Sequence, residues 1–240
     1  MKILAFDTSN QPLTVSLAED NQVIRVFSTN EARNHSIQLL PAIQQTIAEQ
    51  GWTLSTIDLI IVAQGPGSFT GLRIGVTVAK VLADTIKCEL IGVSSLAILA
   101  EQQTFDGLTI PLFNARNDNV FTGVYAMGNN VLPDAHRPVK SLFDWLASRP
   151  EPLLFIGDTD VFGTAIVEHF DSRAQILSPD ESLPDGQGIV SLGNRTLPAK
   201  RVADFNPNYL RRTQAELNWL AAHPNAVSYT HLRAHETCAD

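Results

Sequence analysis

A chain of 240 residues that is 44% hydrophobic and 18% charged can bury a real core, and that make-up excludes a disordered protein. Its 17 basic residues face 25 acidic ones, for a net charge of -8, and no Lys/Arg cluster exceeds the pair Arg211-Arg212; it lacks the basic stripe of a protein that grips RNA unaided, so any action on RNA is expected to pass through a partner. No apolar run approaches the roughly 20 residues that cross a bilayer, the Asp7 carboxylate stands where a signal peptide would stay apolar, and Cys88 and Cys238 form no disulfide framework, so we expect a cytoplasmic protein with no membrane contact.

The first 30 residues read as three strands. Lys2 to Thr8 is continuously apolar enough for a buried strand, Leu13 to Leu17 alternates, and Gln22 to Phe27 follows a turn at Glu19-Asp20-Asn21. Their short connections predict an antiparallel meander. A helix follows over about 36–50, with Leu39 or Leu40, Ile43 and Ile47 at helical spacing and Pro41 near its first turn, where a missing N–H costs little. Then come a strand at 58–63, a helix at 71–84, a strand at 89–93 and a helix at 95–103, giving the order β-β-β-α-β-α-β-α.

The second half opens with strands at 108–113 and 120–126, paired through the turn at Asn114 to Asn119. A helix at 141–148, a strand at 153–157 and a helix at 160–170 follow, an abbreviated echo of the first half. The expected organisation is two related α/β lobes, 1–104 and 105–225, with a last helix near 211–222 returning to the first lobe.

The most informative segment is Gly65-Pro66-Gly67-Ser68-Phe69-Thr70-Gly71-Leu72-Arg73, between a predicted strand and a predicted helix. Glycine-rich turns in that setting can cradle phosphate. A P-loop, however, needs Lys and Ser/Thr directly after its last glycine, where Leu72 and Arg73 stand. The dinucleotide fingerprint needs glycine at Thr70, and Pro66 deletes an N–H that would face the pyrophosphate. A tight turn capped by Ser68 or Thr70 explains the glycines without a ligand. The helix beyond is apolar on nearly every side, at Leu72, Ile74, Val76, Val78, Val81 and Leu82, with Gly71, Gly75 and Ala79 as a small-residue stripe. That pattern predicts a helix covered on both sides, the stripe facing a second lobe or another chain.

Asp7-Thr8-Ser9, His35-Ser36, Leu39-Leu40-Pro41, the Gly65–Arg73 run, Val93-Ser94-Ser95-Leu96 and Pro207-Asn208-Tyr209-Leu210-Arg211 together resemble, in order and spacing, the bacterial TsaB (YeaZ) family over about residues 1–222. The resemblance implies two actin-like (RNase H-like) lobes, mixed sheets flanked by helices. It implies a non-catalytic scaffold for threonylcarbamoyl transfer to tRNA adenosine, partnered by a TsaD-like catalytic subunit and a TsaE-like ATPase, with a second copy of itself as a further candidate. No cofactor of its own is implied; ATP and a divalent metal belong to the partner subunits, and tRNA is met only indirectly. The implied partner surface comprises His35, Leu39, Leu40, Ile43 and Ile47 on one helix and Gly71, Leu72, Gly75, Val78, Ala79 and Leu82 on the other.

Other readings stay open beside this one. Actin-like ATPases hold Mg-phosphate with carboxylates at two hairpins; here Asp7, Thr8 and Ser9 are the candidate weak nucleotide site, while the second hairpin carries Asn114-Ala115-Arg116 where the family commonly has Asp-Ala-Arg. Asp7 is expected to accept hydrogen bonds from its own turn. The metal-binding His-xxx-His of catalytic relatives is reduced to His35, which makes a metallopeptidase an alternative without a ligand pair. His231, His235 and Glu236 have zinc-like spacing, but Ser228 to Thr237 resembles a translated sequencing adapter, and 226–240 is expected to be a non-native tail.

Overall fold

The computed structural model describes residues 1–30 and 34–210 of the chain. Strands β1 (Lys2–Asp7), β2 (Leu13–Glu19) and β3 (Gln22–Thr29) form the antiparallel meander, and β4 (Leu59–Gly65) and β5 (Glu89–Ser94) add in parallel beyond β1. The sheet order is β3-β2-β1-β4-β5. Helix α1 (His35–Glu49) joins β3 to β4, α2 (Phe69–Ile86) joins β4 to β5, and α3 (Ser95–Glu101) leaves β5. Each lies within two residues of its predicted bounds.

Strands β6 (Leu108–Asn114), β7 (Asn119–Ala126), β8 (Asn129–Pro138), β9 (Leu153–Gly157) and β10 (Ala174–Ile176) make a second sheet of order β8-β7-β6-β9-β10. Helices α4 (Val139–Ala147) and α5 (Thr159–Phe170) complete it. Both sheets thus run meander first, then two parallel strands beyond the first strand of the meander. The repeated order makes this an actin-like (RNase H-like) α/β fold, two mixed sheets flanked by helices, as expected. Even the hairpin between second and third strands recurs: Asp20-Asn21 and Met127-Gly128 all have positive φ, the geometry of a two-residue turn that matches strand twist.

Alternation along β1 divides the first core. Leu4 and Phe6 join Leu39, Ile43, Val76 and Ala79 under α1 and α2; Ile3 and Ala5 join Ile61, Ile98, Ile189 and Val190 on the other face. The last two belong to α6 (Gly186–Gly193), which follows the second sheet yet packs on the first. Asp185 caps α6 by accepting the Gly188 amide at 2.7 Å, and a Cβ on Gly193 would overlap Ile61, so the missing side chain lets the helix lie against β4. Beyond α6, the Ala199 amide donates to Leu90 O at 2.8 Å and the Asn208 amide to Gln64 O at 2.7 Å. The chain therefore returns to the first sheet before Leu210; the helix expected at 211–222 and the tail 226–240 lie outside the described residues.

The helix covered on both sides is α3. Its Ile98 belongs to the first sheet's cluster, while Leu96, Leu99 and Ala100 pack with Phe113, Tyr125, Leu154 and Ile156 of the second. Helix α2, for which that role was predicted, is buried on one side only. Among the described residues no helix is long and apolar enough to cross a membrane.

Candidate functional site

The Gly65–Arg73 run seals the end of β1. Gly65 has φ +120 and precedes a cis bond to Pro66; a Cβ on it would meet Asn208 O at 2.6 Å. On Gly67 a Cβ would overlap Ser9 O, which the Ser68 amide reaches at 2.6 Å. Added Cβ atoms on Gly71 and Gly75 would overlap the Thr8 carbonyl and hydroxyl, and that hydroxyl donates to Gly71 O at 2.8 Å. Ser68 caps α2 by accepting the Gly71 amide at 3.3 Å. The glycines therefore serve close approach of α2 to the Asp7-Thr8-Ser9 turn.

Asp7 accepts the Ser9 amide at 2.6 Å through Oδ1, the role expected from its turn, while Oδ2 is buried without a partner. Burial pushes its carboxyl above the usual range, opposed by its Ser9 hydrogen bonds and by nearby His35. His35 heads α1, buried, and its Nε2–H donates to Gln11 O at 3.0 Å. In the second hairpin Asn114 Oδ1 accepts the Arg116 amide at 2.8 Å. A magnesium–nucleotide group, which the fold class brings to mind, does not fit this set: the first hairpin offers one spare oxygen under a sealed turn, and the second an amide already used. Among the described residues no three His, Cys, Asp or Glu gather as a metal site.

Arg73 is absorbed in a clasp. Its guanidinium lies 4.1 Å from the Phe69 ring centroid, Nε donates to Tyr209 Oη at 3.0 Å, and the Phe69 and Tyr209 rings stand 4.8 Å apart. Gln64 Nε2 donates to Asn206 O at 2.6 Å. Two motifs far apart in sequence, Gly65–Arg73 and Pro207–Leu210, are thus neighbours in space.

The implied partner surface requires correction. Leu39, Ile43, Ile47, Leu72, Gly75 and Ala79 are buried within the chain, as are His35 and Gly71. The small-residue stripe meets Thr8 and Val62 of its own sheet, not a partner helix, because a helix that short-circuits its side chains comes closest to the strands beneath it. Leu40 is exposed, Val78 and Leu82 are half-buried, and sequence reasoning missed Ile37 and the reach of Val81. Ile37 is 73% exposed, Val81 58% and Leu40 45%, and half-buried Ile74 lies on the same outer side of α2. The offset of one position per turn from the buried set was the available signal. Adjacent helices α1 and α2, which pack on each other, therefore present an apolar outer face.

The sequence model of a family described as TsaD, tRNA N6-adenosine threonylcarbamoyltransferase, matches residues 26–219. The chain is 35% identical over 229 residues to the tRNA threonylcarbamoyladenosine biosynthesis protein TsaB of Bacillus subtilis, covering 92% of this chain and 98% of that one. It is 38% identical over 101 residues to the Escherichia coli protein of the same name, 42% of this chain and 43% of that one. Among solved structures, YeaZ from Pseudomonas aeruginosa superposes with a TM-score of 0.68 at 27% identity, covering 87% of this chain and 99% of that chain. With a full-length relative at that identity and two sheets of one repeated order, the chain belongs to the family that the TsaD model describes and, within it, to the TsaB (YeaZ) proteins.

Proposed function

We propose that the chain serves tRNA threonylcarbamoyladenosine biosynthesis in the cytoplasm as a non-catalytic subunit. In this reading it docks a TsaD-like catalytic subunit through the outer face of α1 and α2, and a TsaE-like ATPase joins the assembly. ATP and a divalent metal act in the partners, and tRNA reaches this chain only through them. The observation that carries the reading is the exposed apolar face at Ile37, Leu40 and Val81, on a chain with net charge -8. Burying such a face against a partner is favourable by about 25 cal/mol per Å2, and an acidic surface needs a partner to approach RNA. A second copy of the chain would use the same face.

The test is Val81→Arg. The side chain points outward, so the variant is expected to fold and to lose co-elution with the TsaD-like protein of the same cell, along with restoration of tRNA threonylcarbamoyladenosine in depleted cells. A folded variant that still co-elutes and restores modification sinks the docking face. Hydrolysis of ATP or peptide by the isolated native chain would sink the non-catalytic reading.

A further inference from the structure

We infer that two carboxylates of the second lobe, Asp134 and Asp158, stitch the two sheets into one fixed arrangement, so that the sheets do not hinge against one another. Asp134 lies on the edge strand β8. Its Oδ2 accepts the hydroxyl of Ser94 at 2.5 Å, and its Oδ1 accepts Tyr125 Oη at 2.6 Å and Asn130 Nδ2 at 3.2 Å. Ser94 ends β5 in the other sheet and in turn caps α3, accepting the Ala97 amide at 3.2 Å. The carboxylate therefore links the end of one sheet to the edge of the other through the start of the helix shared between them. Gly123 makes room for it, since a Cβ there would overlap Asp134 Oδ1.

Asp158 stands in a like position after β9. It accepts the Asn114 amide at 2.8 Å within its own lobe and lies beside the side-chain amide of Asn10 from the β1–β2 turn of the first. Each carboxylate is thus held by a donor of its own lobe and meets a polar group of the other, Asp134 through the Ser94 hydrogen bond. Hydrogen bonds to an ionised acceptor are about twice as strong as neutral ones, and a carboxylate anchored beforehand loses little freedom on making the crossing bond. The apolar contact through Leu96, Leu99 and Ala100 supplies adhesion between the sheets; the Ser94–Asp134 bond, being directional, and the Asn10–Asp158 approach supply the angle.

The experiment measures the distance between spin labels at Gln22 and Thr164, both exposed, in the full chain with Cys88→Ser and Cys238→Ser, diluted into unlabelled chain. The native background should give one narrow distance distribution. Asp134→Asn with Asp158→Asn should broaden it or add a second peak while the far-ultraviolet spectrum stays native; an unchanged narrow distribution overturns the inference. If that pair of changes unfolds the chain, Ser94→Ala with Asn10→Ala decides. Those changes leave each carboxylate its own-lobe donors, so broadening supports the seam and an unaltered distribution overturns it.

Discussion

Helices α2 and α3 are both rich in apolar residues on every side, and the chain uses them in opposite ways. Helix α3 has Ser95, Leu96, Ile98, Leu99 and Ala100 buried, because one sheet lies on each side of it. Helix α2 buries Gly71, Leu72, Gly75, Val76, Ala79 and Ala83 against its own sheet and leaves Val81 in solvent. Apolar content all round a helix shows that two sides are destined for cover. It does not show whether the second cover is the same chain or another one.

Four measurements break or sharpen that contrast. Ala79→Arg should have the largest effect: Ala79 is fully buried on the inner side of α2, and an unpaired cation there costs on the order of 3–5 kcal/mol. Chemical denaturation should show a first lobe that has lost its cooperative transition; a variant that melts like the native chain would mean that the stripe faces outward after all. Leu96→Ala on α3 comes next, at about 2–5 kcal/mol from transfer and cavity, and should loosen both sheets together. Loss confined to one sheet, read by hydrogen exchange, would contradict the sharing.

Val81→Arg, on the outer side of α2, should change stability by no more than about 0.5 kcal/mol. Set against Ala79→Arg two positions earlier, it separates a face that holds the fold from one that holds a partner.

The smallest effect concerns the turn beneath the head of α2. Burial raises the Asp7 carboxyl in the folded chain, so the fold holds its proton to higher pH than the unfolded chain does. Its contribution to stability is then full below the unfolded value of about 4 and is lost as pH rises through the folded one. Asp7→Asn should remove that loss, so the variant gains on the native chain as pH climbs from acid towards neutral. Asp158, raised by burial as well, keeps the profile from becoming flat. Complex-dependent tRNA modification should survive the Asp7 change; its collapse in a folded, partner-binding variant would make Asp7 a working nucleotide ligand.

The first half was legible because its signals are local. Alternation in Leu13 to Leu17, the Asp20-Asn21 turn and the Gly65–Arg73 run placed every element through α3. Three elements of the second half were not. Strand β8 carries Pro133 and Pro138, which argue against a strand unless it lies at an edge, as it does. Its hairpin turns on Met127-Gly128, a weaker signal than Asp-Asn. Helix α6 holds Gly186, Gly188 and Gly193, poor helix formers that read as loop; Gly186 and Gly193 let the helix lie close to the sheet, and Gly188 lets it lie close to α3. Strand β10 is three residues, below what periodicity detects. At the site, the sequence located the motif and its turn, but which side of α2 meets solvent depends on the sheet beneath it, a fact of tertiary packing.

The order in which the chain is made gives the position of α6 a consequence. Ile3, Ala5 and Ile61 are among the early residues to leave the ribosome, yet Ile189 and Val190, which cover them, come near the end. At about 5–20 residues per second, each intervening hundred residues takes roughly 5 to 20 s. Once α3 has been made, Ile98 covers part of that face, but the part that α6 will cover stays open to the cell for the rest of the interval. A translation product halted before residue 186 should therefore be captured by chaperones and cut by proteases, whereas one halted after Leu210 should escape both.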